Sequence, residues 1–158
     1  MAIDGREFRD ALGRFATGVC LITTTTADGR SLALTANSFA SVSLDPPLVL
    51  WSLQNNSDVY DAYATPQHYA INILSDQQQE LSSRYARKNE HELDPAHFSV
   101  GDDGAPLING ALATFECDLH QTHDGGDHLI IVGRVTRMRN GEDGAPLLFY
   151  SGGYRELA

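Results

Sequence analysis

The sequence predicts a mainly β chain folded as a closed or nearly closed antiparallel barrel, with short helices at the connections. Short runs of β-formers recur along most of the chain, and tight turns such as Asp28-Gly29 and Asp124-Gly125-Gly126-Asp127 join them. Helical periodicity is confined to brief stretches. The length of 158 residues is that of one domain, 1–158, and no linker, repeat or low-complexity stretch divides it. A chain of this size buries roughly two-thirds of its unfolded surface, so no disulfide or metal staple is required.

The chain opens with an amphipathic helix. Asp4 and Glu7 have capping-box spacing, Phe8, Ala11, Leu12 and Phe15 fall on one face, and Gly18 stops the run. Val19 to Thr26 is dense in β-formers, Asp28-Gly29 turns the chain, and a second strand runs from Ser31 to Asn37. Leu48 to Leu53, continuously apolar behind Asp45-Pro46-Pro47, reads as a buried strand, and Tyr69 to Leu74 as another. Between them Ser57 caps a short helix whose Val59, Ala62 and Tyr63 share a face, ended by Thr65-Pro66. Ser75 and Gln78 form a second capping box, opening a helix through Leu81 and Tyr85. Residues 88–110 read as a polar loop. Ala113, Phe115, Cys117 and Leu119 then alternate with Thr114, Glu116, Asp118 and His120, a half-buried pattern. His128 to Met138 returns antiparallel, and Leu147 to Tyr150 is a last strand.

Eleven basic against 21 acidic residues leave a net charge of −10, and no stretch clusters Lys and Arg. This argues against a nucleic-acid groove or an anionic membrane surface as partner, while a few local donors can still hold one phosphate. No window reaches the ~18 consecutive apolar residues of a membrane span. Met1 to Arg6 lacks the basic start and apolar core of a signal peptide. Cys20 and Cys117 sit far apart in apolar runs, outside any CxxC pair. The expectation is a cytoplasmic protein with two buried, reduced cysteines.

The densest polar segment is Thr35-Ala36-Asn37-Ser38-Phe39-Ala40-Ser41-Val42-Ser43, with three serines, a threonine and an asparagine in nine residues. As a loop it would offer hydroxyl and backbone donors to a polar ring edge or a phosphate. It lacks the glycines and lysine of a P-loop and the GxGxxG spacing. A polar turn satisfying its own backbone explains it equally well. Ser57, at a strand-to-helix junction, suits an anion or plain capping, and Asp58 beside it would compete with a phosphate for donors. Arg87 and Lys88 close the Ser75 helix where cations are favoured and could also reach a phosphate. His120, His123 and His128, with Asp118, Asp124 and Asp127, fit no metal-binding spacing, so no metal is expected. His128, at a strand start, is the better candidate for a substrate contact. No GxSxG or activated cysteine supports hydrolysis.

The run Leu34 to Leu50, LTANSFASVSLDPPLVL, resembles the signature of the short-chain flavin reductases, the reductase components of two-component flavin-dependent monooxygenases. Phe15-Ala16-Thr17-Gly18-Val19, Gly125-Gly126-Asp127-His128, Gly133-Arg134-Val135, Pro146 to Tyr150 and Gly152-Gly153-Tyr154 match in the family's order, so the resemblance runs from Phe8 to Tyr154. It implies a homodimeric, antiparallel Greek-key split β-barrel that binds FMN or FAD and oxidises NADH or NADPH. It implies a monooxygenase as transient partner. A barrel that stores or senses flavin without turnover is the alternative.

By the same resemblance Thr35, Ala36, Asn37, Ser38, Phe39, Ala40 and Ser41 contact the flavin, with Ser43 close by. Ser52 and Leu53 lie near the ring, and Ser57, Arg87 and Lys88 near the phosphate. His128, Tyr150 and Tyr154 line the flavin and nicotinamide face, His128 as the candidate catalytic residue. Two positions depart from the pattern. Asp58 stands where the family commonly has Arg or another neutral or basic residue, which implies weaker phosphate capture and easier release. Tyr85 stands for the usual Phe.

Overall fold

The computed structural model describes residues 2–65 and 68–158. The side chain of Asp4 accepts from the amides of Arg6 and Glu7 and opens α1 (Gly5–Leu12). The helix ends at Gly13, not Gly18, because glycine gains little from continuing it. Phe15 thus lies beyond the helix, and Gly18 belongs to β1 (Thr17–Gly18). None of α1 is buried, and Phe8 and Leu12 present its apolar face outward.

β2 (Cys20–Thr25) and β3 (Ser31–Ala36) form the expected hairpin, with Gly29 taking the positive φ of +88° that the turn needs. The serine-rich segment divides differently from the single loop expected. Only Asn37-Ser38-Phe39 bends, and β4 (Ala40–Leu44) follows as an exposed edge strand on β5 (Pro47–Gln54). Its serines read as loop because an edge strand tolerates polar side chains on both faces.

α2 (Tyr60–Ala64) has Val59, not Ser57, in the N-cap position. The Ser57 hydroxyl accepts from the Val59 amide and its carbonyl from the Tyr60 amide, so Ser57 shapes the turn before the helix. Pro66, expected to end this helix, lies outside the described residues. After β6 (His68–Ile73), the Ser75–Gln78 capping box forms in both directions, opening a 3-10 turn that continues into α3 (Gln79–Tyr85).

The expected polar loop 88–110 contains a short hairpin, β7 (Phe98–Val100) and β8 (Pro106–Ile108). Long β9 (Ala113–Gly125) and β10 (His128–Asn140) pair next, and β11 (Leu148–Tyr150) and β12 (Gly153–Arg155) add a further hairpin beside β1. The main sheet is antiparallel throughout, in the order β3-β2-β6-β9-β10-β5-β4. Ile22, Trp51, Leu53, Ile71 and Ile131 share one buried core, against which Leu34 of outlying β3 also packs. The sheet therefore curls into a barrel left open between β3 and β4. Trp51 sets its edge against Tyr63 at 5.5 Å and Tyr69 at 6.3 Å. Cys20 and Cys117 are buried and free, and burial pushes both thiols up to about 12.

β9 departs from the half-buried pattern. Thr114 and Glu116, on its polar side, are buried, as are Ala105 and Leu107 of the 98–108 hairpin, which pack with Ala70. Asn72 makes this second interior possible. Its amide nitrogen donates to Leu21 O and Thr23 Oγ1, both at 3.0 Å, and its oxygen accepts from Ile108 N at 3.0 Å and Thr114 Oγ1 at 3.2 Å. One side chain thereby ties β2, β6, β8 and β9. Asn72→Ala strands the Ile108 amide and the Thr114 hydroxyl, at ~1–3 kcal/mol for each buried group left unmet. The urea midpoint should fall by the equivalent of about 3 kcal/mol, and a loss under about 1 kcal/mol would contradict the assignment.

Candidate functional site

The bend after β3, the outward side chains of β5, the turn beyond β5 and the end of α3 enclose a cleft of about 350 Å³. β5 supplies its floor by simple alternation. Val49, Trp51 and Leu53 point into the core, so Ser52 and Gln54 face the cleft. β10 pairs His128 with Gln54, which sets His128 at the same end of the floor. Ser38 fastens the bend to this floor, its Oγ accepting from Ser52 N at 2.9 Å.

Of the residues expected from the sequence, Thr35, Ala36, Asn37, Ser38, Ser52, Ser57, Lys88 and His128 line this one cleft. Others lie elsewhere. Leu53 is fully buried in the core, on the face of β5 opposite Ser52. Phe39 stacks on Phe115, with ring centroids 5.9 Å apart, and lines a smaller apolar cavity with Phe15, Thr17 and Asn37. Ala40, Ser41 and Ser43 belong to the exposed edge strand. Arg87 pairs with Glu90 at 3.2 Å, outside the cleft lining. Tyr150 is exposed on β11, and the Tyr154 hydroxyl is 2.6 Å from Ser82 Oγ. Thr35 Oγ1 donates to the same residue's carbonyl, so α3 takes up that hydroxyl too.

The sequence reading missed His91, Gln54, Asn56 and Ala86, which complete the wall. It also missed Thr17, whose hydroxyl is buried without a hydrogen-bond partner beside Asn37. Gln54 was within reach, since it continues the alternation of β5 one step past Ser52. His91 carried no local signal.

Charged and titratable groups line the cleft. At one end His128 Nδ1 lies 2.6 Å from Asp127 Oδ1, a contact that holds the Asp127 carboxyl below its ordinary range and leaves Nε2 for the cleft. Lys88 and Asp58 line the same cleft. Burial pushes the Asp58 carboxyl up, but the Asn89 amide and the His91 ring outweigh it and hold the group below the usual carboxylate range. Among the described residues His68, Asp103 and Asp118 come close enough to share a metal ion, but all three lie outside the cleft lining and His68 hydrogen-bonds Asp118.

The model of the flavin reductase like domain matches residues 12–158. The chain belongs to the flavin reductase family. It is 48% identical to the FMN reductase (NADH) SmoA of Agrobacterium fabrum over 151 residues, 96% of this chain and 85% of the relative. The flavin reductase component of a bacterial two-component tryptophan halogenase superposes with a TM-score of 0.87 at 35% identity, covering 98% of each chain. The NADH:FAD oxidoreductase SgcE6 of Streptomyces globisporus, in complex with NAD and FAD fragments, gives 0.91 at 31% identity, covering 100% of this chain and 97% of the other. The structural relatives have the flavin reductase split-barrel fold.

The donor set fits a flavin. The amide of Asn37 and the hydroxyls of Ser38 and Ser52 suit the polar edge of a ring, and the Lys88 ammonium suits a phosphate. The Ser38 side chain ties the bend to β5. Ser38→Ala leaves the Ser52 amide unmet and should lower stability by about 1 kcal/mol. Thermal melts check this, and flavin titration should show weaker binding in the same variant.

Proposed function

We propose that the chain transfers a hydride from NADH or NADPH to FMN or FAD in this cleft and hands the reduced flavin to a monooxygenase. The observation that carries the reading is a single cleft with ring-edge donors at the serine bend, a cation at Lys88 and a carboxylate-anchored histidine at its floor. A bound flavin supplies the two-electron acceptor for the nicotinamide hydride. The chain's own residues bind and orient. Asn37, Ser38 and Ser52 hold the ring edge, Ser57 and Lys88 the phosphate end, and His128, its Nδ1 fixed by Asp127, offers Nε2 toward the reacting face. Nothing in that scheme needs a nucleophile, which agrees with two thiols held protonated by burial.

The chain works as one domain, 1–158, and as a homodimer in the cytoplasm. Exposed apolar side chains support self-association: Leu44 of β4 is 96% exposed and Phe15 80%, beside the uncovered face of α1. No helix among the described residues is long and apolar enough to cross a membrane.

NADH oxidation should rise with added FMN, and under nitrogen the flavin's visible absorbance should bleach on adding NADH. Bound yellow flavin without turnover would favour the storage or sensing alternative. His128→Ala should lower kcat/KM by ~10²-fold or less, the scale of one positioned polar contact, since no proton need be taken from the nicotinamide. Sedimentation should give twice the chain mass, and Leu12→Asp with Phe15→Asp should shift it toward one.

A further inference from the structure

One side-chain pair ends the flavin cleft. His91 is 5% exposed, with Nδ1 3.1 Å from Ala33 O and Nε2 3.0 Å from Asp58 Oδ1. Both partners are acceptors, and the buried ring is wedged between them. Asp58 is held equally firmly, because its second oxygen accepts from the Asn89 amide at 2.6 Å. The competition with a phosphate expected from the sequence therefore takes a different form: the carboxylate is committed to residues 89 and 91 and forms part of a fixed wall.

Ser57, Asp58 and His91 also line a second cavity of about 460 Å³. The two cavities thus share these three residues as a partition. The cleft side presents Lys88. The far side presents the carboxylates of Asp61 and Glu92, while its Arg30 leans on Asp28 at 3.5 Å. An anion passing the partition would leave a cation and meet three acidic side chains, Asp58 first.

We propose that the Asp58–His91 partition selects the flavin, closing the cleft after one phosphate and so favouring FMN over FAD. This rests on the cleft being the flavin site with the phosphate at Lys88. FAD differs from FMN by a second phosphate and an adenosine. Those groups need space beyond the first phosphate, and the adjoining cavity lies behind the Asp58–His91 pair and is lined with the carboxylates of Asp61 and Glu92. Relatives with the same fold are named for FMN and for FAD, so the barrel itself does not decide between them and the choice lies in side chains such as these.

The test compares riboflavin, FMN and FAD as substrates at saturating NADH in the wild type, Asp58→Asn and Asp58→Ala. The wild type should show kcat/KM for FMN about tenfold or more above FAD, with the difference in KM. Asn keeps the wall and removes its charge, and Ala removes both. A gain for FAD in both variants assigns the selection to charge, and a gain in Ala alone assigns it to the wall. Riboflavin, which has no phosphate, should change by less than about twofold in KM, which a general structural fault would not spare. A wild-type ratio of FMN to FAD near one, or a ratio that neither substitution moves, overturns the proposal while flavin reduction stands. Should Asp58→Ala fail to fold, the wild-type ratio and Asp58→Asn still decide. Failure of every flavin, riboflavin included, to be reduced by NADH or NADPH overturns the functional reading and this proposal with it.

Discussion

The period-two alternation of β5 is the constraint on which the site depends. A strand cannot send neighbouring side chains to the same face. Once Trp51 is packed between Tyr63 and Tyr69 in the barrel core, Ser52 must face the cleft and Leu53 must not. A one-residue slip against β10 would reverse both faces, burying hydroxyls and exposing the indole. The seven-residue register from His128 opposite Gln54 to Arg134 opposite Leu48 resists that slip. The Ser38 bond to the Ser52 amide fixes the serine bend to the same register, so ring-edge donors and the core aromatics are placed by one pairing.

A second constraint explains what the sequence concealed. The polar side of β9 reads as solvent-facing because Thr114, Glu116 and Asp118 alternate cleanly with apolar residues. Burying that face requires a covering hairpin with its own apolar contacts and partners for the covered polar groups, and of these only Glu116 Oε1 is left without one among the described residues. Ala105 and Leu107 supply the contacts, and Asn72 meets Thr114 and the Ile108 amide. Neither β7 nor β8 exceeds three residues, and the acidic and glycine-rich chain between them dilutes any strand signal. The hairpin is legible only from the tertiary contacts it satisfies.

Local chemistry was legible where it acts locally. The Ser75–Gln78 capping box and the Gly29 turn depend on neighbours within four residues and formed as read, while at Asp4 only the side-chain half of the expected box forms, without a return bond from Glu7. The family resemblance located the serine bend, Ser57, Lys88 and His128 in one cleft, but a resemblance gives positions and not side-chain directions. Leu53 therefore fell on the wrong face, Arg87 turned to Glu90, and the Tyr154 hydroxyl went to Ser82. His91 is the converse case. Its neighbours in the chain are polar and unremarkable, and its place against β3 comes from the antiparallel contact of Leu32 with Glu92.

The electrostatics of the cleft agree with a product that leaves. On the proposed reading, in a chain of net charge −10, a phosphate in the cleft is drawn by Lys88 and repelled by the Asp58 carboxylate and by the general field. Salt screens the more distant repulsion over a Debye length of about 8 Å at physiological ionic strength, leaving Lys88 and Asp58 to set the local balance. A site built for permanent retention would add donors at the phosphate, as glycine-rich loops do with successive amides. Here the Asn89 amide and the His91 ring, the donors nearest to hand, are spent on Asp58. Orientation of the ring by the serine bend can therefore be strict while the hold on the phosphate stays weak, which is the combination a diffusible reduced flavin requires.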